Sequence, residues 1–352
     1  MMAQLLDQAS HWGLALIPVL VMLAIFVWLD AFRLMSLVEI MTLLFLGGGA
    51  ALLAYPISGR FIDTLPIGFN NYSRYVAPWI EEALKAIIMI GLFRFNRIGY
   101  KLDAVISGFA IGAGFSVIEN ILYLTIFPYY GAGTWLVRGL GTAVMHGTTL
   151  AIVAATAHEL AERETREAAG EFDFHLWWFL PGYLGAVAIH TTFNQFPDRP
   201  LLAMMGAAIL APIVLIAIFH FGTAEAERWL VAEHAEHKAQ LEVLRSGKWP
   251  DSPSGQKIAA LADRVGPQAT QRMRRYWELQ AWLVAEAEET MIEQAEGRVE
   301  FDEGEIHAVF EELAGLKRAL GKSTFAAFNA LLPFSRNDYW EVSELKERLG
   351  RK

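Results

Sequence analysis

Cysteine is absent from all 352 residues, which excludes disulfides and thiolate metal sites and leaves the redox compartment unspecified by cysteine usage. Positive charge is in deficit: 29 Lys and Arg stand against 38 Asp and Glu, a formal net charge of −9 with no footprint for nucleic acid. There is no His-Glu-x-x-His run, so no single helix carries two metal ligands one turn apart. No internal repeat relates the apolar segments, and the first of them is too long and lacks the basic flank of a signal peptide.

What is present is apolar. Hydrophobic side chains make up 54% of the chain, charged ones 19%, and mean hydropathy is +0.32. Two unlike parts produce that average. Up to Phe221 the chain reads as apolar runs of roughly 18 to 25 residues, each long enough to cross a hydrocarbon core about 30 Å thick; beyond it the sequence is Glu-rich and polar. The runs predict spans at Trp12 to Leu29, Leu34 to Ala54, Val76 to Phe93, Asp103 to Phe127, Trp135 to Ala157, Leu176 to Phe196 and Leu201 to Phe221. The expected fold class is all-α: a polytopic membrane helix bundle of about seven spans (1–221) followed by a C-terminal soluble helical domain (222–352).

Basic residues flanking the spans set the expected orientation. Arg33, the Arg94, Arg97 and Lys101 cluster, Arg163 and Arg166 fall on one side, against Arg60, Arg74, Arg138 and Arg199 on the other. The excess on the first side predicts an N terminus outside and a cytoplasmic C-terminal region, in a multi-pass protein of the cell membrane.

Against this apolar background, ionisable residues sit where spans should have none: Glu81, Glu82 and Lys85 in the third, Glu119 in the fourth, His146 in the fifth and His190 in the sixth. A charge in hydrocarbon costs several kcal/mol on the more modest scales, so such groups are expected to face a bundle interior and pair. At about 1.5 Å of rise per residue they fall at a similar outer-to-middle depth, as one constellation would require. Glu81 and Glu82 lie four and three residues before Lys85, so the amine reaches either carboxylate and leaves the other available as a general base. His190 and Asn194, four apart, share a helix face that can donate hydrogen bonds to a developing oxyanion. Taken singly, either histidine would more often be a packing residue than a catalyst.

Other features carry weaker signals. Gly108, Gly112 and Gly114 on the fourth span and Gly47 to Gly49 on the second read as generic close packing. Residues 55–75, with Pro56, Gly59, Pro66 and Gly68, read as a turn-rich loop leading into the helix that bears Glu81. In the C-terminal part, Thr223 to Leu244, Pro267 to Ala295 and Glu303 to Leu320 have helical period, Lys248 to Gly255 reads as a linker, and Leu331 to Phe334 with Asp338 to Trp340 as a segment folding back. His234 and His237, three apart, fit an exposed helix face better than a metal site. That part has no catalytic or nucleic-acid signature and is expected to be regulatory or an assembly element.

Together, the run Glu81-Glu82-Ala83-Leu84-Lys85, Phe115 followed four residues on by Glu119-Asn120, the lone His146 one span later, and His190 four before Asn194 resemble the PrsW family of intramembrane proteases. That family is similar to the larger group containing the CAAX prenyl proteases and bacteriocin-processing relatives. The resemblance implies hydrolysis of a peptide bond in a membrane-anchored protein substrate, as in the signalling step that clips the outer side of an anti-sigma factor. It also implies roles: Glu81 or Glu82 activating water with Lys85 holding the pair, His190 and Asn194 polarising the scissile carbonyl, Glu119 and His146 orienting water or protonating the leaving amine. The long C-terminal part is not explained by these motifs. The lipid bilayer is the other expected partner, and the sequence leaves the oligomeric state open.

Two chemistries remain open at such a site. In a glutamic mechanism a carboxylate deprotonates water directly and no cofactor is needed, the reading favoured here. In a metal mechanism Glu119, His146 and His190 would ligate zinc and leave one position for water. A proton-coupled transporter would also place Glu, Lys and His in a membrane, and cleavage against proton flux discriminates the two.

Overall fold

The computed structural model describes residues 2–29, 35–127, 129, 131–167, 174–195, 201–202, 205–206, 231–295 and 302–349. Among these the chain is helical without strands, and it divides into two compact units, Met1–Thr223 and Ala224–Lys352. The span expected at Leu201 to Phe221 lies almost wholly outside the described residues.

The first unit is built around one buried helix. In chain order its elements are α1 (Met2–Leu29), α2 (Leu37–Thr64), α3 (Gly68–Tyr75), α4 (Ala77–Arg94), α5 (Lys101–Ile126), α6 (Ala132–Leu136), a π-helical stretch (Val137–Thr142) running into α7 (Ala143–Glu167), and α8 (Phe179–Phe193). α5 is buried without a break from Leu102 to Ser116 and packs against α7, α2 and α1. Glycine permits that approach. A methyl group on Gly112 would run into the His146 carbonyl of α7, and one on Gly114 into the Leu44 carbonyl of α2. Among the described residues three helical stretches are long and apolar enough to cross a membrane: Leu37–Thr64, Lys101–Ile126 and Ala132–Glu164. α4 falls short of that composition because Glu81, Glu82, Lys85 and Arg94 sit within its 18 residues.

Local chemistry sets the element ends. Ser36 opens α2 with a capping box, accepting from the Glu39 N–H at 3.2 Å while the Glu39 carboxylate accepts the Ser36 N–H at 2.8 Å. α4 begins with Pro78 in its first turn, where a missing N–H costs nothing. It ends in a turn at Asn96, whose positive φ of 53° suits an asparagine.

The expected loop at residues 55–75 is a correction. α2 runs straight through Pro56 and Gly59 to Thr64, and Gly68–Tyr75 is helical too, entered at Gly68 with φ of +71°. Proline removes only its own N–H and strains one preceding turn; that turn is anchored by Ala50, Ala51 and Ala54, packed against Phe115, Leu84 and Ile88.

The second unit comprises a helix at 231–245 (α9), α10 (Pro253–Val265), α11 (Pro267–Ala295), α12 (Glu303–Leu320), α13 (Lys322–Asn329) and α14 (Arg336–Leu349). One core joins Leu241, Leu244, Ile258, Met273, Trp277, Phe328 and Leu332, and a second joins Leu279, Leu283, Ile306, Val309 and Leu345. The expected linker at Lys248 to Gly255 is mostly a packed turn. Trp249 stacks on Trp277 at 6.0 Å, and Ser252 caps α10 by accepting the Gly255 N–H. The exposed face expected for His234 and His237 is overturned for His237, which is buried. Its positions i, i+4 and i+7 are His237, Leu241 and Leu244, so the imidazole extends the apolar stripe that meets α11.

Candidate active site

Four helices of the first unit converge on one polar cluster. α4 contributes Glu81, Glu82 and Lys85, α5 contributes Glu119, α7 contributes His146 and α8 contributes His190. Glu82 and Lys85 are completely buried, and His146 and His190 are 1% and 3% exposed.

Lys85 is the hub. Its Nζ donates to Glu82 Oε1 at 2.7 Å and lies 3.0 Å from His146 Nδ1 and 3.5 Å from Thr149 Oγ1. An ammonium has only protons to give, so it assigns Nδ1 of His146 as the acceptor and leaves Nε2–H to donate to Glu119 Oε2 at 3.2 Å. On the other flank His190 Nδ1 lies 2.8 Å from Glu82 Oε1. A carboxylate can only accept, so Nδ1 carries a proton, and in the neutral imidazole Nε2 is then a lone pair. That lone pair faces Glu81 Oε2 at 3.8 Å, and Glu81 Oε2 is buried without a hydrogen-bond partner. Two acceptors facing one another call for a donor or a cation between them.

The rings fix the geometry. His146 and His190 meet edge to face at 4.9 Å, His146 lies 4.9 Å from Phe115, and the Lys85 ammonium sits 5.2 Å from the Phe115 centroid. Phe115 thus closes one wall with an aromatic face that favours the ammonium.

Arg138 belongs to this cluster although it reads in the sequence as a flanking basic residue. Its Nη2 is 3.1 Å from Glu119 Oε1 and its guanidinium lies 3.6 Å over the Tyr123 ring. The π-helical stretch explains how it arrives. Its wider turn lags the rotation of an α-helix, so Arg138 and His146 both reach Glu119. Thr142 Oγ1 donates to the Arg138 carbonyl, and Asn120 Nδ2 donates to the Ala15 carbonyl at 2.9 Å, with the Arg138 carbonyl at 3.4 Å. A basic residue inside the apolar-to-polar boundary of a span, eight positions before a buried histidine, was the available signal.

Asn194 is placed differently from the rest. It caps the C-terminus of α8 and its amide donates to the Ser73 carbonyl of α3 at 2.9 Å, which ties down the helix that carries His190. Nearby, Tyr183 donates to the Trp79 carbonyl at 2.9 Å.

A grouping other than the expected metal set also lies in this cluster. Glu119 meets Arg138 and His146, whereas Glu81, His146 and His190 each have a ligand atom within 4.8 Å of the others, His146 by releasing its contact with Lys85 or with Glu119. Two imidazole nitrogens and a carboxylate oxygen suit zinc, and the partnerless Glu81 Oε2 is a donor in need of a cation, so these residues fit the ion.

No curated protein and no solved structure matches this chain. The family described as "PrsW family intramembrane metalloprotease" matches residues 31–220, more than half of the chain and every residue of the cluster. The polar cluster inside an apolar bundle and this match agree, and the chain belongs to the PrsW family of intramembrane proteases.

Proposed function

We propose that this chain is an endopeptidase that cuts membrane-anchored proteins near the outer leaflet, with Glu81 as the base that activates water. The observation that carries this reading is the pair of acceptors, Glu81 Oε2 and His190 Nε2, held 3.8 Å apart within a buried network. A water between them would donate to both and turn its lone pair toward a scissile carbonyl. Its proton passes to Glu81 as the oxygen adds to the carbonyl carbon; the same proton goes to the amine nitrogen when the C–N bond breaks. His190 Nε2, steadied through Nδ1 by Glu82, keeps accepting the hydrogen bond from the remaining O–H of the added oxygen and so orients its attack. Lys85 offsets Glu82, and Glu119 holds His146 against Lys85 from the Arg138 side. Asn194 acts as a positioning residue through Ser73.

A zinc-dependent version of the same reaction is favoured by the grouping of Glu81, His146 and His190. When bound, the ion would polarise the carbonyl and lower the pKa of its water. Glu82 would then orient His190 through Nδ1, as a carboxylate commonly does for a metal-bound imidazole.

The seven-span bundle, with its N terminus outside, a soluble cytoplasmic C-terminal unit and residence in the plasma or inner membrane, completes the proposal. Cleavage of an anti-sigma factor is the signalling step this topology would serve. Reconstitution with single-span substrates tests it. Glu81→Gln should lower cleavage by about a hundredfold or more, the scale of a lost general base. Cleavage retained through chelation, with no metal bound, supports the glutamic chemistry; loss on chelation and recovery with zinc supports the metal chemistry. Full activity in Glu81→Gln, or proton-coupled flux without cleavage, overturns the proposal.

A further inference from the structure

The C-terminal unit buries a second cluster of histidine and carboxylate. Glu288 of α11 is fully buried, and Asp338 of α14 is 2% exposed. His237 of α9 lies between them, with Nδ1 2.8 Å from Glu288 Oε1 and Nε2 3.7 Å from Asp338 Oδ2. The second Glu288 oxygen lies 3.3 Å from His234 Nδ1, one turn earlier on α9. His237, Glu288 and Asp338 each offer a ligand atom within 4.8 Å of the others.

Charge and hydrogen bonding point beyond a structural role. Two buried carboxylates carry two negative charges, and among the described residues neither meets a lysine or arginine. Imidazole protons alone would have to balance them. Asp338 Oδ2 accepts the Ser335 N–H at 2.6 Å, but its Oδ1 is buried with no hydrogen-bond partner. A buried oxygen of that kind costs free energy unless a cation or donor meets it.

We propose that His237, Glu288 and Asp338, with His234 at the open edge, form a binding site for a divalent transition-metal ion of the zinc class. Imidazole nitrogen selects such ions over magnesium and calcium, which prefer all-oxygen shells. One divalent ion balances both carboxylates, and it joins α9, α11 and α14 in one link. His234, whose side chain is 14% exposed, marks the entry edge. These residues belong to the second unit and lie outside residues 31–220, which the family model matches.

The test uses the full chain in detergent. In a His146→Ala/His190→Ala background, which removes the imidazole ligands of the membrane cluster, chelator-stripped protein is titrated with Co²⁺ and followed by visible absorption and metal analysis. One equivalent should bind with a nitrogen- and oxygen-ligated spectrum, be displaced by Zn²⁺, and raise the melting temperature. Asp338→Asn and His237→Gln, near-isosteric exchanges, should each abolish that binding and the thermal shift. In the otherwise wild-type chain Asp338→Asn should lower total bound metal by one equivalent, an arm independent of the membrane-site background. A folded background variant that binds no Co²⁺, or equal metal content with and without Asp338→Asn, overturns the proposal.

Discussion

Glu82 and Lys85 are both sealed from solvent, so removing one leaves the other as an uncompensated charge. Lys85→Met should therefore destabilise the protein by about 3–5 kcal/mol, the usual cost of breaking a buried pair. Lys85→Met combined with Glu82→Gln should recover much of that loss in thermal denaturation while remaining inactive in cleavage. Recovery would separate the pair's share in stability from its share in chemistry. Arg138→Gln frees Glu119 Oε1 and should slow cleavage by disturbing His146, with substrate binding less affected; kcat and KM measured on one substrate distinguish these. Of the site residues, the sequence made Glu81, Glu82, Lys85, Glu119, His146 and His190 visible because a polar group in an apolar run stands out. Arg138 was hidden because it sits at a span end, where basic residues ordinarily report only topology.

At the scale of the element, close helix contacts can be told from incidental glycines. Gly112 faces the His146 carbonyl, whereas Gly49 on α2 has nothing within 4 Å of an added methyl. Gly112→Ala should push α7 away from α5, lowering the melting temperature and displacing His146, while Gly49→Ala should be neutral or slightly stabilising by propensity. The expectation of close packing holds at Gly112 and fails at Gly49, because spacing alone does not tell which side of a helix meets a neighbour. Pro56 taught the same lesson in reverse. Its turn signal is local, and the alanine face of α2 that overrides it is read only once α4 and α5 are in place. The π-helical stretch had no sequence signature at all, since an extra residue per turn is decided by which side chains it must align.

At the scale of the whole molecule, a chain without cysteine suits accessibility mapping. Asn70→Cys on α3 and Phe95→Cys after α4 are both at exposed positions. Under the proposed orientation the first should react with an impermeant thiol reagent added outside, and the second only after the membrane is opened. The reverse pattern would invert the topology and move the cut to the inner side.

The completely buried Lys85 has a consequence for how the chain is made. Its imidazole partner His146 lies 61 residues further on, and the His190 that meets Glu82 lies 108 residues beyond it. On the proposed topology an ionised side chain at the middle of an inserting helix costs about 3 kcal/mol on the translocon scale, so α4 emerges from the ribosome with Glu82 and Lys85 as each other's only partners and with the histidines still to come. In nascent chains truncated before α7, a cysteine at Ile87 of α4 (Ile87→Cys) should react with a water-borne thiol reagent, and in chains extended past α8 it should be protected by lipid. Biogenesis here would follow the order in which counter-groups are synthesised, with the helix that carries the chemistry the last to commit to lipid.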